Sequence, residues 1–193
     1  MEIDHILDDY PKTVALKDGS KVVFRPLAHP DVKAFHDFFC AIPETERLFM
    51  KHRVTDLDVI RSWCRNIDYL HNLPMLALQG EKIIADATLH QQPGGWKRHI
   101  GRLSMVVHPN FRGKGLASIL VNELVEISRH LQLERLEAEF MGEQKAARRV
   151  FAEAGFNDLM VQEDYVKDMQ ALTHTYVLMG KRVITDEEFA GAQ

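Results

Sequence analysis

The sequence predicts a single α/β (α+β) domain whose largely antiparallel sheet is flanked by helices. Three observations predict it. An Asp-Gly turn joins two short β-like runs near the N-terminus. Further runs of strand character, punctuated by Gly-Glu and Pro-Gly-Gly turns, fill residues 74–107. The longest helical pattern of the chain then covers residues 113–131 and is followed by strand, helix and strand. A chain of 193 residues fits one domain, residues 1–193, and is long enough to bury a sizeable core.

Residues 13–16 and 21–24 read as strands. Between them Lys17, Asp18, Gly19 and Ser20 give a hairpin signal, because Asp and Gly both tolerate positive φ. Arg25, Pro26 and Leu27 leave the strand, and Asp31 is placed to cap the next helix. That helix, residues 32–41, carries Val32, Phe35, Phe38 and Phe39 at helical spacing. Thr55 or Asp56 opens a second, running to residue 66, with Leu57, Ile60, Trp63 and Cys64 as its apolar face. Residues 74–79 and 82–90 are strands joined at Gly80 and Glu81. Pro93, Gly94 and Gly95 turn the chain into a third strand, residues 99–107, with Leu103, Met105 and Val107 on one face. In the long helix Leu116, Leu120, Leu124, Ile127 and Leu131 recur at steps of three and four, and Ala117, Val121 and Val125 broaden the stripe. Residues 135–140 alternate, with Leu136, Ala138 and Phe140 on one face. Residues 143–154 form a helix stopped by Gly155, and residues 171–179 a last strand. Residues 1–12 read as an N-terminal extension and residues 182–193 as a loosely held tail.

Composition excludes several classes. Apolar residues make up 46% and charged residues 27%, the balance of an ordinary globular protein. The net charge of −4 and the lack of a basic run argue against nucleic acid as the partner. The start Met-Glu-Ile-Asp-His has no secretory-leader pattern, and no apolar stretch is long enough to span a bilayer. The expectation is a cytoplasmic protein with no membrane partner. Cys40 and Cys64 lie in apolar, helix-like segments and read as buried thiols, not a disulfide framework. The ten histidines are scattered without metal-ligand spacing, so no metal is expected.

The segment that carries chemistry runs from Val106 to Ala117. A strand ends, His108-Pro109-Asn110 turns the chain, and a glycine-bearing loop opens a long helix. The first turn of a helix offers N–H groups without intrahelical partners, and the helix dipole favours an anion there. Gly113 and Gly115 allow close approach, while Arg112 and Lys114 add positive charge, a combination suited to a pyrophosphate. No Gly-Lys-Ser/Thr follows, so this is not a nucleoside-triphosphate loop. A third glycine or alanine at dinucleotide spacing is also missing.

Arg112-Gly113-Lys114-Gly115-Leu116-Ala117 resembles the Arg/Gln-x-x-Gly-x-Gly/Ala signature of the GNAT superfamily of N-acetyltransferases. The strand before it, the His108-Pro109 step and the long helix resemble that superfamily too, as does the later block from Ala147 to Gly155-Phe156. The N-terminal third, with Leu16 to Val22, Arg25-Pro26-Leu27 and the run from Phe38 to Phe49, is similar to bacterial protein-lysine acetyltransferase domains. The resemblance implies a GNAT fold: a mixed sheet with a splayed strand pair that holds acetyl-CoA, the acetyl donor. It implies cofactor contacts from Met105, Val106 and Val107, whose backbone would hold pantetheine and thioester. It extends them to Arg112, Gly113, Lys114, Gly115, Leu116, Ala117 and Ser118, and to Gln144 and Phe151.

An alkylammonium has a pKa near 10 and must lose a proton before it attacks. Arg135, Glu137 and Glu139 share one strand face, and a covered carboxylate is costly unless paired or used. Glu139 aligns with the general base of ribosomal-protein N-terminal acetyltransferases in the superfamily. It is the catalytic candidate, with a salt bridge as the alternative. Three positions depart from the pattern. Gln144 stands where the family often has Asn, Phe151 where it has the Tyr that protonates the departing thiolate, and Arg102 where the lysine-acetylating group has a Glu. Asp86, Thr88 and His90 alternate on the neighbouring strand, and a turn centred near Gly94 would face Asp86 to Arg102 as an ion pair. His90 and His108 are candidate proton relays. The expected acceptor is a primary amine, a protein lysine or a small molecule. A catalytically weak acetyl-CoA-binding module is the alternative, and monomer and homodimer both stay open.

Overall fold

The computed structural model describes residues 3–185. Its elements in order are α1 (Ile3–Leu7), β1 (Lys12–Ala15), β2 (Lys21–Pro26), α2 (Val32–Cys40), α3 (Glu44–Arg47), α4 (Leu57–Arg65), β3 (Asn72–Gln79), β4 (Lys82–His90), β5 (Ile100–Val107), α5 (Leu116–His130), β6 (Arg135–Met141), α6 (Lys145–Glu153), β7 (Asn157–Lys167) and β8 (Thr173–Arg182). The strands form one sheet in the order β1-β2-β3-β4-β5-β6-β8-β7. Every neighbouring pair is antiparallel except β5 and β6, which run parallel. A parallel pair needs a crossover, and α5 supplies it.

The sheet separates two cores. On one side Leu116, Leu120, Leu124 and Ile127 of α5 pack with Ala85, Ala87, Leu89, Leu103, Leu136 and Ala138 of the strands. On the other, Phe35, Phe38 and Phe39 of α2 and Ile60 and Cys64 of α4 pack on Leu76, Leu78 and Ile83. The α5 stripe predicted from spacing is the buried one. Truncating one of its leucines to alanine costs roughly 2–5 kcal/mol by analogy with other cores.

The N-terminal hairpin forms as predicted, with Gly19 at φ 80° and the Leu16 N–H donating to Ser20 O at 2.8 Å. Asp56 caps α4 by accepting from the Asp58 N–H at 2.9 Å. Several expectations need correction. Asp31 does not cap α2; a 3-10 turn precedes that helix, and its carboxylate accepts from Arg25 at 2.7 Å and from the Ala28 N–H at 2.8 Å. Cys40 is exposed, on the outer side of α2, while Cys64 is buried. The N-terminal extension contains α1, whose Ile3 and Ile6 enter the α5-side core. The tail is packed at its start: Val183 is 4% exposed and its N–H donates to Glu134 O at 2.9 Å. Residues 186–193 of that tail lie outside the described residues. β7, absent from the sequence reading, is the sheet's last strand. Among the described residues no helix is long and apolar enough to cross a membrane.

Candidate active site

The parallel pair positions the site. β5 and β6 are in register from Ile100–Leu103 against Arg135–Ala138 and no further. Beyond that point β4 keeps Ser104 to Val107, and β8 keeps Glu139 to Met141. The two strands therefore diverge into a cleft whose apex is Leu103 and Ala138. The His108 N–H donates to Ile84 O at 2.9 Å. By the alternation of an antiparallel ladder, Ser104 and Val106 also turn their backbone groups to β4, whereas Met105 and Val107 turn theirs to the cleft.

At the open end of β5 the chain enters the glycine loop. Gly113 and Gly115 have φ of 77° and 81°, which L side chains rarely adopt. A Cβ on Gly115 would also press on the Lys17 side chain at 3.0 Å, because the β1–β2 turn packs against this loop. Gly115 is the N-cap of α5 and no side chain caps it, so the N–H groups of Leu116, Ala117 and Ser118 stand in the uncapped first turn. The two cations have protein partners that the sequence did not reveal. Arg112 makes a two-pronged pair with Glu46 at 2.7 and 2.8 Å and donates to Val107 O, and Lys114 pairs with Asp18 at 2.9 Å. The Ser20 hydroxyl and Lys114 hold the Asp18 carboxyl well below the usual carboxylate range.

Period-2 alternation puts a polar row on the α2/α4 side of the cleft, made of Asp86, Thr88 and His90 on β4, Arg102 and Ser104 on β5, and Glu137 and Glu139 on β6. Glu139 is half-buried and fully engaged. Its Oε2 accepts from Arg102 Nη1 at 2.9 Å and from Lys51 Nζ at 3.1 Å, and its Oε1 accepts from the Tyr176 hydroxyl at 3.1 Å. Burial works to raise the Glu139 pKa, but Lys51 and Arg102 together hold it below the ordinary value. Burial and the neighbouring Glu139 push the Tyr176 hydroxyl up to about 12. Asp86 does not meet Arg102: the register sets Asp86 opposite Val106 and His90 opposite Arg102. The Pro-Gly-Gly segment does not close the hairpin by itself. A further turn, with Arg98 N–H to Gly95 O and Ile100 N–H to Lys97 O, moves its centre two residues along. Asp86 is buried with Thr88 donating to it at 3.3 Å, and loss of hydration raises its pKa to about 7.

His90, the imidazole of the row, is partnered at both ring nitrogens, with Nδ1 2.7 Å from Asn72 Oδ1 and Nε2 2.9 Å from Ser104 Oγ. Burial, then the charges of Arg102 and Lys51, lower its pKa to about 4. His108 is elsewhere: its Nδ1 accepts from the Asn110 N–H, and its ring packs on Phe111 at the foot of the glycine loop. A strap formed by α3 and the residues after it closes over the row. The Met169 N–H donates to Leu48 O at 3.1 Å, Phe49 lies edge-on to His174, and Lys51 reaches Glu139. Gln144 caps the end of β6, its Oε1 accepting from the Met141 N–H at 2.8 Å. Phe151 is 1% exposed between the rings of Phe140 and Phe156.

The arrangement sets an uncapped helix start beside a row of titratable and hydroxyl side chains along one cleft. The sequence model of the acetyltransferase (GNAT) family matches residues 37–156. The chain belongs to that family. It is a GNAT-family N-acetyltransferase, an acyltransferase. No match to a curated protein reaches significance. Solved GNAT structures share the fold. The GNAT domain of S. lividans PAT superposes with a TM-score of 0.74 at 18% identity, covering 89% of this chain and 96% of that one. The yncA acetyltransferase of Salmonella typhimurium, solved with acetyl-CoA, gives 0.69 at 15% identity over 84% and 94%. A chimera of spermidine N-acetyltransferase from Vibrio cholerae and hSSAT gives 0.70 at 16% identity over 84% and 96%.

Proposed function

We propose that this chain is one catalytic domain that binds acetyl-CoA along β5 and transfers the acetyl group to a primary alkylamine such as a lysine side chain. The pyrophosphate would rest on residues 112–118, where positive-φ glycines and an uncapped helix start suit an anion. Arg112 and Lys114 would share their charge between it and their present partners Glu46 and Asp18. Met105 and Val107 offer backbone groups to the pantetheine and thioester, with Val106 packing beneath, and Gln144 and Phe151 shape the β6 side. Acetyl-CoA supplies an activated acyl carbon, and the protein has to deprotonate the amine and hold it there.

The observation that carries the acceptor reading is Lys51. Its ammonium, on a mostly exposed side chain, lies 3.1 Å from Glu139 Oε2, so a primary alkylammonium already fits against this carboxylate. Glu139 would take the first proton of the incoming ammonium as general base. A lysine peptide, spermidine and free amino acids, assayed with acetyl-CoA by thiol release and mass spectrometry, test the proposal. Transfer to the lysine peptide supports it. Tight acetyl-CoA binding with no transfer to any of these amines would return the chain to a binding module.

A further inference from the structure

The proton bookkeeping of the reaction leaves one role unfilled. A protonated amine yields two protons on becoming an amide, and the departing thiolate takes one of them. Glu139 accounts for the first under the proposal above. Phe151 has no proton to give, and its ring is enclosed by Phe140 and Phe156. Tyr176 gives its hydroxyl hydrogen to Glu139 from β8, one strand beyond the cleft.

Ser104 is the first β5 residue past the paired stretch, and it is exposed at the apex of the cleft. Its Oγ lies 2.9 Å from His90 Nε2, and His90 Nδ1 lies 2.7 Å from Asn72 Oδ1. An amide oxygen only accepts, so Nδ1 carries the ring hydrogen. The Nε2 lone pair is then aimed at the Ser104 hydroxyl, which donates to it. A hydroxyl, a base and a group that fixes the base's tautomer stand in line from β5 through β4 to β3, the order expected of an activated proton-transfer chain.

We propose that Ser104, His90 and Asn72 form a relay that carries the second proton from the acetylated nitrogen to the departing sulfur. As nitrogen bonds to the acyl carbon, its proton passes to Ser104 Oγ while the serine hydrogen passes to His90 Nε2. As the carbon–sulfur bond breaks, the histidine returns its proton through the same oxygen to the sulfur. No net charge stays on the protein, and the proton taken by Glu139 is the one released to water. The charged groups facing the ring are Arg102 on β5, Lys51 on the strap and Glu139 on β6. Burial first, and then the two cations, favour the neutral imidazole, so Nε2 is free to receive. A ring protonated in transit is a strong enough acid to give its proton to a thiolate, whose ordinary pKa is about 8.5. His90 is thus suited to passing a proton on and not to storing one. Ser104 and His90 are catalytic residues in this scheme, and Asn72 is a positioning residue.

The relay rests on reading the diverging strands as the donor cleft, so the experiment separates the two. Acetyl-CoA binding by wild type, Ser104→Ala, Ser104→Thr and His90→Gln is measured by calorimetry, and turnover with a lysine peptide and with spermidine. Nitrogen NMR of His90 in the free and CoA-loaded chain needs no acceptor at all. Expected are an Nδ1–H ring titrating near pH 4 in the free chain, and a fall in kcat of about a hundredfold for Ser104→Ala and His90→Gln. Acetyl-CoA affinity should be unchanged in both, and Ser104→Thr, which keeps the hydroxyl, should recover most of the rate. An Nε2–H ring, or full kcat in either hydroxyl- or imidazole-lacking variant, overturns the relay. Failure of the wild type to bind acetyl-CoA overturns the donor-cleft reading, and the relay with it.

Discussion

Lys51 Nζ and Arg102 Nη1 share one oxygen of Glu139, at 3.1 and 2.9 Å. The carboxylate proposed to receive an acceptor ammonium is thus already held by two cations of its own chain, one from a surface strap and one from the neighbouring strand. Lys51 is mostly exposed, so its attraction is weakened by water and a substrate can displace it.

Replacing Lys51 by alanine should free one side of Glu139. The Glu139 pKa is lowered in part by Lys51, so its loss moves that pKa up. The acid limb of the kcat/KM profile, which follows the base becoming ionised, should move to higher pH while KM for the amine falls. A pH–rate series of both forms reads this, and an unmoved acid limb counts against Glu139 as the base.

Glu139→Gln keeps the shape and removes the base. The rate with a lysine peptide should fall by about a hundredfold or more, with acetyl-CoA affinity kept, because the proposal sets Glu139 against the acceptor and not against the donor. Retained activity across the pH range would assign Glu139 to the salt bridge alone.

Phe151→Tyr should not speed the reaction. The new hydroxyl would enter the packing between Phe140 and Phe156, where an unpartnered polar group costs about 1–3 kcal/mol. Chemical denaturation should report that loss. A tenfold gain in kcat, well inside the range of positioned acid catalysis, would show that the missing phenol limits turnover.

Gly115→Val should abolish measurable acetyl-CoA binding. The backbone there has φ 81°, and a Cβ would meet Lys17 at 3.0 Å, so the loop cannot keep its approach to an anion. Calorimetry decides it, provided far-ultraviolet dichroism shows the fold intact. Undiminished affinity would move the pyrophosphate elsewhere.

Asp86 gives a pH dependence of stability. Burial raises its folded pKa to about 7, above the unfolded value near 3.9. Between these values the folded chain binds more protons than the unfolded chain, so this carboxyl makes stability fall as pH rises from about 4 to 7. Asp86→Asn removes the titration. Its stability relative to wild type should improve by roughly 1–4 kcal/mol across that window. Parallel denaturation curves at every pH would contradict the assignment.

The sequence by itself determined the elements whose burial is one-sided and the loop whose glycines announce it. The α5 stripe, the alternation of β6, the Asp-Gly hairpin and the glycine loop before α5 are local patterns, set by neighbours within a few residues. β7 escaped because its residues are exposed along nearly its whole length, so backbone pairing with β8 leaves no alternation in the side chains. The pairing of Asp86 with Arg102 failed because a strand partner depends on where a turn centres, and a second turn after Gly95 shifted it by two residues. Only the tertiary structure decided the partners of the charged groups. Glu46 reaches Arg112, Lys51 reaches Glu139, and Asn72 and Ser104 meet across His90, although each pair is far apart in the chain. An ion pair or a relay depends on distances of about 3 Å, and those arise from the register of the sheet and the fold of the strap over it, which no local spacing encodes.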